Sequence, residues 1–229
     1  MSGHEAILAD IRASHVPVLE LYEEFIGKAE WHAMVSEALL LSYSAIVDSF
    51  TRCGTLFLCG NGGSMADALH ISGEILKSFE RDRRLSGSEQ RKYTELRFGS
   101  EVADVLEQGF PAIVLGLNPS LSSAVQNDFS LPNMEFAQEL NAMAREGDVL
   151  LGISTSGNAR NVAYAMTVAA AKGLRTIGLT GESGGVLGDM ADIVVRVPAI
   201  VTKNVQELHQ PIYHALCTMV EAHFFEGKR

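Results

Sequence analysis

The sequence predicts an α/β fold, a parallel sheet covered on both faces by helices and preceded by a helical arm. Three observations carry this. Five short, nearly continuous apolar runs punctuate the chain, at 55–60 (TLFLCG), 112–117 (AIVLGL), 148–155 (DVLLGIST), 175–181 (RTIGLTG) and 192–198 (DIVVRVP). Runs of that length without polar alternation belong to strands buried on both faces. Helical patterns separate them, which is the alternation a parallel sheet needs. The 229 residues, 47% hydrophobic and 20% charged, suffice for one substantial core and exclude a disordered chain.

The first segment, 1–52, reads as a helical arm. From Pro17 onward apolar residues recur at helical spacing (Val18, Leu21, Tyr22, Phe25, then Trp31, Met34, Val35, Ala38, Leu39, Ile46), with Gly27 as the break between two helices. Pro17 suits a first helical turn, where its missing N–H costs nothing. Two readings stand for so apolar an arm: it packs on a partner subunit as an oligomerisation element, or it covers its own sheet. Residues 53–229 form the α/β domain, interrupted by a polar connection at 81–109 with a short helix expected at 100–108. A connection of that length is either a lid over a site or a surface excursion. Its opening, Arg81-Asp82-Arg83-Arg84 with Arg91 and Lys92 beyond, alternates with acids and reads as a solvated loop.

Charge and cysteine usage narrow the function. With 18 Lys+Arg against 28 Asp+Glu the net charge is −10, and no basic stripe offsets it, so nucleic acid is not an expected partner. Cys53, Cys59 and Cys217 form no CxxC pair and are odd in number, which argues for a reducing compartment. No apolar run approaches the roughly 18 residues that cross a bilayer, and the first residues lack a signal-type apolar core, so the expected location is the cytoplasm, off the membrane.

Chemistry-bearing residues cluster where the strands end, the place where open parallel sheets bind ligands. The first strand runs into Gly60-Asn61-Gly62-Gly63-Ser64 at the start of a helix, and the third into Ser154-Thr155-Ser156-Gly157-Asn158 before another. Glycines admit a ligand close to the backbone, and a helix amino end favours an anion. The spacing fits neither a Walker loop nor GxGxxG, and a plain tight turn is the competing reading of the first loop. Three consecutive hydroxyls exceed what capping one helix requires. Together the loops point to a phosphorylated small molecule, and with no Lys or Asp for magnesium in either loop, the phosphate reads as a binding handle. The next helix carries His70 and Glu74 one turn apart on one face, and VQELHQPIYHALC near the carboxyl end holds Gln206, Glu207, His209 and His214. Two imidazoles, a carboxylate and an amide oxygen are a possible tetrahedral zinc set, and ordinary helix-face residues are the alternative. Pro211 implies that this last helix either starts near Leu208 or kinks there.

Taken together, GNGGS, the His70/Glu74 pair, STSGN and IGLTGESGGVLGDMADIVVRVP followed by QELHxxxxH resemble the sugar isomerase (SIS) domain, and within it the phosphoheptose isomerases, over about residues 18–225. The resemblance implies a three-layer αβα sandwich with a flavodoxin-like five-stranded parallel sheet, and a homotetramer with active sites between subunits. It implies interconversion of sedoheptulose 7-phosphate and D-glycero-D-manno-heptose 7-phosphate by enediol proton transfer. Carried over by position, one zinc per active site falls on His70, Glu74, Gln206 and His214, with Glu74 and His214 as catalytic base and acid. Substrate contacts fall on Asn61, Gly62, Gly63, Ser64, Asn127, Asp128, Ser154, Thr155, Ser156 and Gln206. The chain departs from the family pattern at Ala159, where a hydroxyl is expected, at Lys203, where an acid is expected, and in the length of 81–109. These departures leave open an isomerase of another sugar phosphate, and a non-catalytic SIS binding module akin to the DnaA-initiator-associating protein is the alternative of a different class.

Overall fold

A computed structural model describes residues 3–227; the first two residues of the arm and the last two of the α/β domain lie outside the described residues. Three helices come first, α1 (Gly3–Ser14), α2 (Val16–Lys28) and α3 (His32–Thr51). Then follow β1 (Leu56–Cys59), α4 (Gly63–Leu76), α5 (Gly87–Arg91), α6 (Gly99–Ala103), β2 (Ala112–Val114), α7 (Pro119–Asp128) and α8 (Glu135–Met143). The chain closes with β3 (Val149–Ser154), α9 (Arg160–Ala171), β4 (Arg175–Thr180), α10 (Gly185–Met190), β5 (Ile193–Arg196) and α11 (Thr202–Phe224).

All five strands are parallel, in the order β2-β1-β3-β4-β5. Each lies within one of the five apolar runs, because a strand buried on both faces needs apolar side chains in both directions. Alternate residues split between two cores: Leu56, Leu58, Leu151, Ile153, Ile177 and Val195 face α3, α4 and α11, while Phe57, Cys59 and Leu150 face α8 and α9. The result is a three-layer αβα sandwich. Its strand order reverses between β1 and β3, so the crevice at their carboxyl ends is the topological switch point.

The arm belongs to the same core as the sheet. Ile11, Val18, Tyr22, Phe25, Val35 and Leu39 are buried with strand residues and with Ile212, Leu216 and Val220 of α11. Of the two readings for the arm, covering its own sheet is therefore realised within one chain. By length and composition α3 could cross a membrane, but it is a core helix, with Leu39, Leu40, Ile46 and Phe50 buried.

Several boundaries differ from those expected. A helix not anticipated, α1, precedes Pro17, and α2 runs through Gly27 to Lys28, where Ala29 turns extended. The break is set by that backbone change and not by the glycine, which one helical turn tolerates at about 1 kcal/mol. The last helix begins at Thr202, upstream of Leu208, and keeps Pro211 inside it. Proline there deprives the Glu207 carbonyl of its donor, and Glu207 is exposed, so water can take that place. In the 81–109 connection the helices are α5 and α6, not a single one at 100–108, and its opening is not a solvated loop. The buried Glu221 carboxylate of α11 pairs with the Arg83 guanidinium and accepts from the Arg81 amide, the Arg81 guanidinium donates to the Phe225 carbonyl, and both arginines are buried, whereas Arg84 stays exposed beside Asp82. The cysteines are all free.

Candidate active site

The crevice at the switch point is built from the β1–α4 turn on one side and the β3–α9 turn on the other. Asn61 and Asn161 exchange side-chain hydrogen bonds of 2.9 Å across it, and Asn161 also donates to Glu135 at 2.9 Å. Asn61, Gly62 and Gly63 are exposed, and Ser64 is buried. The amides of Ser64, Met65 and Ala66 already donate to the carbonyls of Asn61 and Gly62. What this loop offers a ligand is thus its glycine backbone, the Asn61 side chain and the positive end of α4. A methyl group on Gly63 would collide with the Gln206 side-chain amide, so glycine leaves that amide room to lie over the loop.

The second turn is held by its own polar groups. Ser156 Oγ accepts from the Asn158 amide at 3.2 Å, and Asn158 Oδ1 accepts from the Val186 amide at 3.1 Å, tying the turn to α10. Gly157 has φ of +68° and faces the Gly184 carbonyl so closely that a Cβ would clash, leaving glycine the residue suited there. Ser154 is buried, Thr155 half-buried and Ser156 exposed, so the three hydroxyls do not present equally. Asn127 and Asp128 end α7, exposed and hydrogen-bonded to each other at 2.8 Å, and among the described residues no hydrogen bond ties them to either turn.

Behind the crevice α4 packs on α11, and this contact gathers the titratable groups. His70 Nε2 lies 3.1 Å from Glu74 Oε1, as their spacing on one helix face requires. His70 Nδ1 lies 3.2 Å from the Tyr213 hydroxyl, which also donates to Asp67 Oδ1 at 3.4 Å. His214 brings its ring to 4.9 Å from that of His70, nearly perpendicular, with Phe79 on its other side at 5.7 Å. His214 Nε2 and Asp67 Oδ2 are buried without a hydrogen-bond partner. Burial, helped by the neighbouring His70, holds the His214 imidazole below its ordinary pKa, so it is neutral at pH 7. Burial likewise raises the Asp67 carboxyl against the opposing pull of Tyr213 and His70, and pushes the Tyr213 phenol up. Asp67 and Tyr213 escaped sequence reasoning; the signals available were Asp67 one turn before His70 and Tyr213 beside His214.

Phe79, Glu80, Pro211 and His214 line an open pocket of about 440 Å³ whose far wall is Phe25 and Lys28 of the arm. A second pocket of about 430 Å³ sits at the opposite, amino ends of β3 and β4 among Asp48, Arg52 and Asp192, and holds none of the expected site residues.

The donor chemistry fits zinc: two imidazoles, one with an orphaned Nε2, a carboxylate, and an amide at the edge of the same crevice. Among the described residues, however, no three His, Cys, Asp or Glu side chains converge as a ready cage. His70 Nε2 is engaged by Glu74, and that hydrogen bond must give way before both can serve one ion.

A parallel sandwich with two polar turns at its switch point and an acid/base cluster where α4 meets α11 defines an α/β ligand-binding protein, and residues 129–222 match the SIS domain model. The chain is 38% identical over 181 residues to the phosphoheptose isomerase of Roseiflexus sp. (strain RS-1), covering 79% of each, and 36% identical over 219 residues to that of Geobacter sulfurreducens, covering 96% of this chain and 97% of the relative. Among solved structures, the phosphoheptose isomerase of Francisella tularensis superposes with a TM-score of 0.67 at 27% identity, covering 96% of this chain and 98% of that one. That of Neisseria gonorrhoeae gives 0.66 at 28%, covering 89% and 97%. The chain belongs to the phosphoheptose isomerase family.

Proposed function

We propose that this protein is an aldose–ketose isomerase interconverting sedoheptulose 7-phosphate and D-glycero-D-manno-heptose 7-phosphate through an enediol. The observation that carries the reading is the approach of His70 and Glu74 on α4, the helix that leaves the first switch-point turn, to His214 on α11. The reaction moves a proton between C1 and C2 and another between the two oxygens. Glu74 takes and returns the carbon-bound proton. His214, neutral at pH 7, trades the oxygen-bound one through its unpartnered Nε2. The Tyr213 hydroxyl and Glu74 hold the His70 ring between them and fix its orientation. The phosphate is bound by the turns around Asn61–Ser64 and Ser154–Ser156 with the positive ends of α4 and α9, and Asn127 and Asp128 complete the sugar contacts.

The reading includes one zinc ion per site, held by His70, Glu74, Gln206 and His214, which would polarise the substrate oxygens as a Lewis acid. It also includes a cytoplasmic homotetramer, with the arm contributing to subunit contacts beyond those it makes in its own chain. The experiment is incubation with sedoheptulose 7-phosphate in deuterated water, followed by NMR. Heptose signals with deuterium at C2 are expected; absence of turnover by folded protein, with turnover of a hexose or amino-sugar phosphate instead, would reassign the substrate. Metal analysis expects one zinc per chain with activity lost to a chelator, and sedimentation expects four times the 24.7 kDa chain mass.

A further inference from the structure

The acid/base cluster depends on how α4 lies against α11, and one buried ion pair spans the two helices. Glu221 lies seven residues, about two turns, after His214 on α11, hence on nearly the same face. Its Oε1 accepts from Arg83 Nε at 2.7 Å and from the Phe79 amide at 2.8 Å, and its Oε2 accepts from the amides of Glu80 at 2.8 Å and Arg81 at 3.1 Å. Arg83 is 1% exposed and spends its remaining donors on α4, Nη1 to the Ile75 carbonyl at 2.9 Å and Nη2 to the carbonyl of Glu74 itself at 3.0 Å. The Arg83 amide donates to Ser78 Oγ at 3.3 Å, and its carbonyl accepts from the Gln108 amide, which closes the base of the 81–109 connection on the same point.

We propose that Arg83 and Glu221 are positioning residues for proton transfer, setting Glu74 and His70 against His214 by clamping the end of α4 to α11. The inference rests on the isomerase reading above. Neutralising Glu221 takes one cation and nothing more, and a buried ion pair is a poor source of net stability. Two of Arg83's donors go elsewhere, to last-turn carbonyls of α4, of which that of Ile75 also accepts from the Phe110 amide, where a cation also meets the negative end of the helix dipole. One of those carbonyls belongs to the proposed base. A rigid planar fork delivers three bonds in fixed directions, which a lysine ammonium does not.

Arg83→Lys separates the two roles, since it keeps the charge beside Glu221 and loses the fork to Glu74 and Ile75. The full-length variant is expected to fold, by near-ultraviolet circular dichroism and cooperative melting. Its kcat should fall about 10- to 100-fold while KM stays within about threefold, the pattern of a misplaced reacting group. Hydrogen exchange should quicken at the amides of the last turn of α4 and leave β3 and β4 unchanged. Glu221→Gln should act in the same direction. Wild-type kcat in folded Arg83→Lys, a KM change without a kcat change, or failure of that variant to fold would each overturn the proposal and leave the pair a purely structural one. Wild-type protein that turns over no sugar phosphate defeats the isomerase reading instead. Exchange then decides for the clamp alone, and unaltered protection across 70–77 in Arg83→Lys overturns it.

Discussion

Glu74 and Tyr213 do different work on the same imidazole, and their replacement separates chemistry from orientation. Glu74→Gln keeps the side-chain shape and an oxygen facing His70, so folding should persist, but no base remains to take the carbon-bound proton. Isomerisation should fall about 10²- to 10⁴-fold, the usual contribution of a general base, read as deuterium incorporation at C2. Activity within a factor of a few of wild type would remove Glu74 from the catalytic role. Tyr213→Phe removes the hydroxyl between His70 Nδ1 and Asp67. Because the ring stays packed and only the orienting bond is lost, kcat should drop about tenfold with little change in melting temperature, consistent with roughly 1 kcal/mol for one hydrogen bond. A large loss of stability without a kcat effect would make Tyr213 a core residue only.

At the scale of elements, what was legible in the sequence followed from how much each element's surroundings constrain it. All five strands could be read because burial on both faces forces unbroken apolar runs, and Pro17 and the glycine-rich turns marked real boundaries. The first helix could not be read: α1 buries only Ile11 fully, so its pattern is weak. The burial of Arg81 and Arg83 was illegible because it depends on the Phe225 carbonyl and the Glu221 carboxylate, about 140 residues away, and pairing at that separation leaves no local pattern. His70 and Glu74 announced themselves by spacing, whereas their approach to His214 depends on how α4 and α11 pack. The β1–α4 turn gives the sharpest test of that packing. Gly63→Ala places a methyl against the Gln206 side-chain amide and forces that amide to swing away from the loop. The variant should fold, since the strain is confined to an exposed turn, and should lose bound zinc or weaken sugar-phosphate affinity about tenfold, an energetic loss near 1.4 kcal/mol. Titration with inorganic phosphate and with zinc identifies which partner is affected, and unchanged affinity for both would show that Gln206 is not part of the site.

Across the whole molecule, burial of neutral histidines couples stability to pH. His209 is fully buried on α11 and neither of its ring nitrogens makes a well-formed hydrogen bond. Burial pushes its pKa down to about 4, the Thr180 backbone pulling only partly the other way. His223, half-buried beside His15 and bonded to the Tyr43 hydroxyl at 2.7 Å, is likewise pushed down to about 4, first by burial and then by His15. A depressed folded-state pKa means that the unfolded chain takes up the proton first. The contribution is therefore intact above about pH 6.5, the ordinary histidine value, and is lost progressively as the pH falls from there to about 4. For His209 the full difference is on the order of 3 kcal/mol at 1.36 kcal/mol per pKa unit; for the more exposed His223 solvent screening makes it smaller. Urea unfolding midpoints should accordingly fall between pH 6.5 and 4. His209→Leu, which fills the same space without a titrating group, should flatten that slope while leaving stability at pH 7 little changed or improved, because the unpaired imidazole costs free energy where it sits. A variant that loses stability in parallel with wild type over that range would show that the acid sensitivity arises elsewhere, with His223 the next group to replace.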